Sequence, residues 1–384
     1  MMKPIRTVIS GAGYRGRYLL QLLQQIPPFA AEGVYDPFAA DTPGNIKAYK
    51  GGHEGFLQML ADIHPDLVVI ASPWKCHLPQ AMSALEAGCH VALEIKGGLG
   101  LDEYRPAIES ASRKRLKIFP LENTVFLREN MAVCNLVNQG VLGDIIALRG
   151  GYRHDLRHIL AGDGESEHPA CSESVWRSAF YFEKNADLYP THGFAPLCVA
   201  AGINRTDFVT ELTSFASRAQ GLAAYIRGKG GETPASVKTG DIIITQMRTQ
   251  KSRLITLTHD TTLPRPRSLD FEIQGTKGIW QGFAHKIYVE GSSPAEEWED
   301  DAPYISRYEH PLWKKWGEEA LHSDRHHQGM DYMMLRTLAA DLLQEEAFPT
   351  TGEDLALWTS VTPLSEISIR EKRTVFLHPE RTLP

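Results

Sequence analysis

No apolar run in this chain of 384 residues is long enough to span a bilayer. The first apolar strand begins almost at the first residue, so no room for a secretory leader is read ahead of it. Neither sign of charge is in marked excess: 40 Lys and Arg stand against 47 Asp and Glu, a formal net charge of −7. That balance gives no reason to expect a nucleic-acid or anionic-membrane partner. Cysteine is scarce: five residues (Cys76, Cys89, Cys134, Cys171, Cys198), odd in number and without C-x-x-C spacing. Reduced thiols in a cytoplasmic protein are the plain reading. Internal repeats and low-complexity segments are missing too. His322, His326 and His327 bracket no carboxylate-and-histidine set at ligand spacing, so a solvated loop and no metal is expected there. The rest has the composition of an ordinary soluble globular protein, and its length exceeds one ordinary core, so two domains are the prior.

The most informative stretch is Ile5–Ser10 followed by Gly11-Ala12-Gly13-Tyr14-Arg15-Gly16. A β-branched apolar run reads as a buried strand, and Tyr18, Leu19, Leu22 and Leu23 lie on one face of a following helix. Between them Gly11 allows the tight turn, Gly13 lets the backbone approach a pyrophosphate, and Gly16 lets helix pack on strand. The N–H groups and dipole of that helix favour a phosphate. A second strand, 32–35, ends in Asp36, an acid placed to take both ribose hydroxyls and to repel a 2′-phosphate, which selects NAD over NADP. Further strands are read at 67–71, 90–94 and 116–119, with helices at 56–63, at 78–87 and around Tyr104 and Ile108. The stretch 72–77, carrying Trp74, Cys76 and His77, is read as a loop leaving the carboxyl end of a parallel strand and lining the ligand crevice. Cys76 has no His/Asn arrangement that would make it a nucleophile. The whole is a doubly wound parallel sheet of Rossmann type.

The pattern changes near 121–123. A helix carrying Phe126, Met131, Leu136 and Val137 ends at Gly140, and strands are then read at 145–151, 208–215, 242–247, 254–258, 269–274 and 278–282. The last two join through the tight turn Gly275-Thr276-Lys277. With no helices read between these strands, the sheet is expected to be open and mostly antiparallel. The acidic stretch 294–301 reads as a surface loop, and helices close the chain near 330–343 and 355–369. The expected division is a dinucleotide-binding domain, 1–122, and a substrate-binding and oligomerisation domain, 123–384, whose last helix can pack back on the first. An open sheet face must be covered, which points to a homo-oligomer.

Glu94 ending a strand of an NAD-type fold, ahead of a sheet domain, resembles the Gfo/Idh/MocA oxidoreductases over the whole chain. Most members carry E-K-P there, with the lysine near the nicotinamide; here the string is Glu94-Ile95-Lys96. Ile95 holds the lysine's position, and Lys96 should point to the other side. Five further strings narrow the resemblance. They are Gly151-Tyr152-Arg153-His154-Asp155-Leu156-Arg157-His158, Asp187-Leu188-Tyr189-Pro190-Thr191-His192-Gly193, Gln274-Gly275-Thr276-Lys277-Gly278, Gly329-Met330-Asp331-Tyr332 and Pro363-Leu364-Ser365-Glu366. Together they are similar to glycoside hydrolase family 109, whose founding activity is α-N-acetylgalactosaminidase with tightly held NAD. At 264–267 that family commonly has an aromatic sugar contact in the last position; here Arg267 stands, able to answer a negatively charged sugar.

The resemblance puts the cofactor against Tyr14, Arg15, Asp36, the Trp74–His77 segment, Glu94, Ile95 and Asn123. It puts a carbohydrate substrate against Tyr152, Arg177, Tyr189 and His192. The implied activity is a glycosidase working by transient oxidation at C3, elimination, hydration and re-reduction, outside the two-carboxylate scheme. That scheme needs a base for the hydroxyl proton, for which His192 has the right intrinsic chemistry, and a second base for a carbon-bound proton, for which Tyr152 and Tyr189 are candidates. An NAD-dependent sugar or cyclitol dehydrogenase releasing NADH is the alternative, and an NAD-binding sensor without activity is a third reading. Bland roles stand beside these. Tyr152 can be packing, and Glu122 can orient a substrate or cap the next helix with Asn123. Trp298, Trp313 and Trp316 can stack on a sugar or lie in a subunit contact.

Overall fold

Every residue of Leu67–Ile70 is buried, as a strand covered on both faces requires. The computed structural model describes residues 4–38, 44, 46–162, 172–231 and 236–377, so Cys171 lies outside the described residues. Six strands, β1 (Ile5–Ser10), β2 (Phe29–Tyr35), β3 (Lys47–Tyr49), β4 (Leu67–Ile70), β5 (His90–Glu94) and β6 (Ile118–Leu121), pair in the order β3-β2-β1-β4-β5-β6. All pairings are parallel. Helices α1 (Tyr14–Leu23), α2 (His53–Ile63), α3 (Trp74–Glu86) and α4 (Arg105–Lys114) connect them. Strand β3 escapes the sequence reading because three residues at a sheet edge are too short to show alternation. The expected loop at 72–77 is a correction: α3 begins at Trp74, capped by Pro73. Trp74 is 3% exposed and stacks on Phe180, so packing from elsewhere in the chain starts the helix early.

After a short 3₁₀ turn, Asn123–Phe126, and α5 (Arg128–Asn138), the chain enters β7 (Ile145–Arg153). Among the described residues four helices follow: α6 (Arg157–Leu160), α7 (Glu173–Trp176), α8 (Ser178–Glu183) and α9 (Thr191–Ala201). Then come β8 (Val209–Ala216), α10 (Gly221–Gly228), β9 (Ile242–Thr249), β10 (Leu254–Asp260), β11 (Glu272–Gly275), β12 (Gly278–Gln281), β13 (Lys286–Val289) and β14 (Glu299–Asp300). The last elements are α11 (Ala302–Arg307), α12 (Pro311–Ser323), α13 (Met330–Leu342), α14 (Gly352–Glu371) and β15 (Val375–Phe376). The second sheet runs β14-β13-β12-β11-β7-β10-β9-β8-β15. It is antiparallel except where β7 pairs with β10.

Helices between the strands overturn one expectation. A parallel pair cannot be joined by a tight turn, and α6 to α9 leave the chain's path between β7 and its parallel neighbour. The acidic stretch 294–301 is a third correction. Glu299 and Asp300 form β14 against β13, and Asp301 is buried, accepting a hydrogen bond from Trp280 Nε1 at 2.8 Å.

One face of the second sheet is covered by α9 on β7 and α14 on β8. Contact with β7 is close because Gly193 has no side chain: a Cβ there would lie 2.3 Å from the Gly151 nitrogen. The opposite face alternates cleanly along β9, where Ile243, Thr245 and Met247 are buried while Ile244, Gln246 and Arg248 are exposed. Ile146, Phe215 and Leu254 are also exposed on this sheet. Helix α14 also packs against β6 and α4, so it touches both sheets. Among the described residues no helix is long and apolar enough to cross a membrane.

Candidate active site

The glycine turn is built as its spacing demands. Gly11 has φ +100°, and a Cβ on it would lie 2.6 Å from the Ala71 carbonyl oxygen; a Cβ on Gly16 would lie 1.8 Å from the Gly11 oxygen. Gly13 is different: a Cβ there would meet nothing within 4 Å. The turn therefore closes on itself at Gly11 and Gly16 and stays open at Gly13, at the N-terminus of α1, which leaves room for a pyrophosphate at the positive end of the helix. Asp36, at the end of β2, is buried and accepts from the Ala12 N–H at 2.8 Å and the Phe38 N–H at 3.0 Å. Asn123 presents a buried carbonyl oxygen with no hydrogen-bond partner among the described residues, while its amide nitrogen donates to Asp331 Oδ1 at 3.0 Å. The open Gly13, the acid at the end of β2 and the orphaned amide oxygen fit a dinucleotide.

Arg15 ties this crevice together. Its Nε donates to Glu94 Oε2 at 2.6 Å, and its terminal nitrogens bind both oxygens of Asp331 on α13 at 2.7 and 2.6 Å. Burial pulls against the charge on Arg15, but the two carboxylates hold it well above its ordinary value. His327 Nδ1 lies 2.9 Å from Asp331, and Tyr18 donates to Asp324. Asp324, His327 and Asp331 thus gather within 4.8 Å, which corrects the expectation of no such set among these histidines. The turn at Gly329 (φ +80°) folds the end of α12 back on the start of α13, a proximity that linear spacing does not reveal. The guanidinium of Arg15 supplies the positive charge for that set.

Other residues assigned to the cofactor are placed unevenly. Tyr14 is 73% exposed and stacks on Tyr18. Ile95 is buried, its N–H donating to Glu94 Oε1 at 2.9 Å. His77 is fully buried with Nε2 2.7 Å from the Ser72 carbonyl oxygen, and burial pushes it down to about 4. Lys96 is fully buried, donating to the Gly97 oxygen at 3.0 Å with its ammonium 5.2 Å from the Trp74 ring centre. Burial lowers it to about 7.

The Tyr and His residues taken from separate strings converge. Tyr152, at the end of β7, stacks on Tyr189 with ring centres 4.6 Å apart. His192, in the first turn of α9, stands edge-on to both, at 5.2 Å from Tyr152 and 4.8 Å from Tyr189. The close approach at Gly193 is what brings α9 within reach of β7. His192 Nδ1 meets Glu122 Oε1 at 2.7 Å. Glu122 is fully buried and also accepts from the Thr124 N–H at 3.2 Å and hydroxyl at 2.6 Å. Burial alone would raise its carboxyl, but His192 and Thr124 hold it below the ordinary range. The capping role weighed for Glu122 is real, and its role toward His192 is the one the sequence did not disclose. With Nδ1 engaged, Nε2 is the nitrogen left to exchange a proton.

Tyr152 Oη lies 3.5 Å from His154 Nδ1, a second partner the sequence reading passed over. Burial, Arg267 and Arg177 push His154 down to about 4, so this imidazole is a neutral acceptor. Arg177 is 7% exposed and lies 4.9 Å from the Tyr189 ring centre and 5.5 Å from that of Trp74. Burial raises the Tyr189 phenol well above its ordinary value. Of the tryptophans left open, Trp313 is core, its indole donating to the Phe126 oxygen at 3.0 Å. Arg336 stacks on Trp316, and Trp298 is exposed. A cavity of about 240 Å³ lies elsewhere, between α4, α14 and β15, and shares no residue with the Tyr/His cluster.

Comparison with known proteins agrees with both halves of this site. The model of the oxidoreductase family with NAD-binding Rossmann fold matches residues 5–95, and that of the glycosyl hydrolase 109 C-terminal domain matches residues 126–383. A glycosyl hydrolase family 109 protein of Stenotrophomonas maltophilia is 32% identical over 99% of this chain and 89% of its own. An alpha-N-acetylgalactosaminidase of Tannerella forsythia is 33% identical over 88% of this chain and 75% of its own. Scyllo-inositol dehydrogenase of Lactobacillus casei, solved with NAD(H) and scyllo-inositol, superposes with TM-score 0.66 at 16% identity, covering 97% of this chain and 99% of its own. An NAD-binding oxidoreductase of Klebsiella pneumoniae gives TM-score 0.70 at 14% identity, covering 98% and 99%. The likeness to those two structures is one of fold. The chain belongs to glycosyl hydrolase family 109 and is an NAD-dependent glycoside hydrolase built on the Gfo/Idh/MocA fold.

Proposed function

We propose that the substrate is an α-N-acetylgalactosaminide or a related glycoside, and that Tyr152, Tyr189, His192 and Arg177 act on its sugar. The observation that carries this reading is the Glu122–His192 contact at 2.7 Å, set edge-on to the stacked pair Tyr152 and Tyr189. Gly11, Gly13, Gly16, Tyr14, Arg15, Asp36, Trp74, His77, Glu94, Ile95 and Asn123 are the residues assigned to NAD. When bound, NAD supplies an acceptor for a hydride from a sugar carbon and gives the hydride back at the end of the cycle.

His192 Nε2 takes the proton of the sugar hydroxyl being oxidised, with Glu122 as positioning residue holding the ring and balancing the imidazolium. The ketone formed at C3 acidifies the hydrogen on C2. Tyr152, its own phenolic proton given up to solvent, removes that proton as a phenolate faced by the Arg177 charge. The C1–O bond then breaks with its electron pair on the leaving oxygen, which takes a proton from solvent; water adds its hydroxyl to C1 of the resulting double bond and a proton returns to C2. Tyr189, held protonated by burial, donates a hydrogen bond rather than accepting a proton. Arg177 holds a sugar oxygen. The division at 122/123 and a second copy of this chain on the open sheet face complete the reading. Residence in a reducing compartment accords with the free thiols of Cys76, Cys89, Cys134 and Cys198.

Aryl glycosides including the α-N-acetylgalactosaminide, turned over in D₂O, separate this reading from a dehydrogenase. The expected result is release of aglycone without accumulated NADH, deuterium at C2 of the free sugar, and retention of a label placed at C3. Stoichiometric NADH, an intact glycosidic bond and loss of the C3 label would replace it with a sugar or cyclitol dehydrogenase.

A further inference from the structure

We infer that the sugar taken by this site carries an anionic group, a carboxylate or a sulfate ester, received between Arg177 and Arg267. The inference rests on the reading of Tyr152 and His192 as the sugar site. Arg177 is 7% exposed, and only its Nη1 is engaged, donating to Glu173 Oε2 at 3.1 Å. Its Nε and Nη2 have no hydrogen-bond partner among the described residues. Buried N–H groups of a charged side chain are costly to leave without acceptors, so two of them mark a place for a ligand's oxygens. Nε and one terminal nitrogen form the fork that receives a carboxylate or sulfate through two hydrogen bonds.

Arg267 supplies the second cation, and backbone register puts it there. Arg153 pairs antiparallel with Ser268: the Arg153 N–H donates to the Ser268 oxygen at 3.1 Å and the Ser268 N–H to the Arg153 oxygen at 2.8 Å. One step outward, Arg267 stands across from His154, which is two residues from Tyr152 and on the same face of the strand. The charges of Arg267 and Arg177 both bear on the His154 ring, which stands edge-on to Tyr152. Arg267 is exposed and makes no ion pair among the described residues.

Neighbouring arginines are already matched. Arg153 pairs with Asp270 and Asp260, Arg265 with Asp260 at 2.7 Å, and Arg157 with both oxygens of Asp155. Of the other acids near the cluster, Glu122 faces His192, Asp187 accepts from the Tyr189 N–H, and Glu173, whose side chain is 43% exposed, meets Arg177 through Nη1 alone. A neutral sugar would satisfy the N–H groups of Arg177 and leave the charge at Arg267 unanswered. An anionic one answers both.

Calorimetric titration of the NAD-loaded protein with N-acetylgalactosamine, its 6-sulfate and galacturonate tests this without relying on turnover. At low salt at least one of the two anionic sugars should bind tenfold or more tightly than the neutral one, and the sugar preferred tells sulfate from carboxylate. That preference should shrink about tenfold in Arg267→Gln, with affinity for the neutral sugar unchanged. Equal or tighter binding of the neutral sugar, equal weakening of all three in Arg267→Gln, or no binding of any would overturn the inference. Failure of the glycosidase reading shows separately, as absence of aglycone release from the matched aryl glycosides.

Discussion

At the scale of single residues, the site works through pairs. His192→Ala and Tyr152→Phe should each lower turnover about a hundredfold, the usual cost of losing a general acid–base group, while NAD binding by fluorescence titration stays intact. Glu122→Gln keeps the side-chain shape and the hydrogen bond to Thr124 but removes the charge facing His192. It should lower kcat with little change in KM, the signature of an interaction made in the transition state. Near-normal turnover in all three variants would return these residues to packing roles. The proposed cofactor choice rests on Asp36: Asp36→Ala should weaken NAD binding tenfold or more and narrow the preference over NADP, since an acid able to repel a 2′-phosphate is gone. Because Asp36 also holds the Ala12 and Phe38 N–H groups, the glycine turn should loosen as well. A wild-type preference for NADP would refute the assignment.

Among the elements, the contact of α9 with β7 decides whether the Tyr/His cluster exists. Gly193→Ala would drive a methyl group to within 2.3 Å of the Gly151 nitrogen, and backbone on both sides leaves no side chain to move aside. Helix α9 must shift, so turnover should fall as far as in His192→Ala although His192 is unchanged. NAD affinity, which rests on the other sheet, should hold; an active Gly193→Ala enzyme would show that the spacing is not critical. Helix α3 carries a titration of its own. Burial lowers His77 to about 4 in the folded protein, against about 6.5 when unfolded. Below pH 6.5 the unfolded chain binds a proton that the folded one refuses, so stability present above 6.5 is lost as pH falls toward 4. By pH 5 the loss is about 2 kcal/mol. Comparing thermal unfolding at pH 7 and pH 5, the fall in melting temperature should be smaller in His77→Gln; an identical fall would remove His77 as its source.

For the whole molecule, the second sheet presents Ile146, Phe215, Ile244 and Leu254 to solvent. Phe215 and Ile244 sit directly across from one another on β8 and β9. A second copy should cover this face, giving the mass of an oligomer in light scattering at micromolar concentration, and Phe215→Glu should shift the mass toward the single chain. A monomeric wild type would leave the face to another partner. The central strands of the first sheet could be read from the chain, because strands buried on both faces are continuous apolar runs and the glycine turn, Asp36 and Glu94 follow them at fixed spacing. Local chemistry writes such signals into the chain. Short edge strands such as β3 and β14 were illegible, since two or three residues carry no period. Tyr152, Tyr189 and His192 could be named from their strings, but not their contact, which depends on Gly193 bringing α9 onto β7. Glu122 behind His192, His154 beside Tyr152 and Asp331 on Arg15 belong to the same class. The residue types and their order come from sequence alone. Which acid faces which base is set by packing between segments 70 and 316 residues apart along the chain, a distance over which no pattern in the sequence can reach.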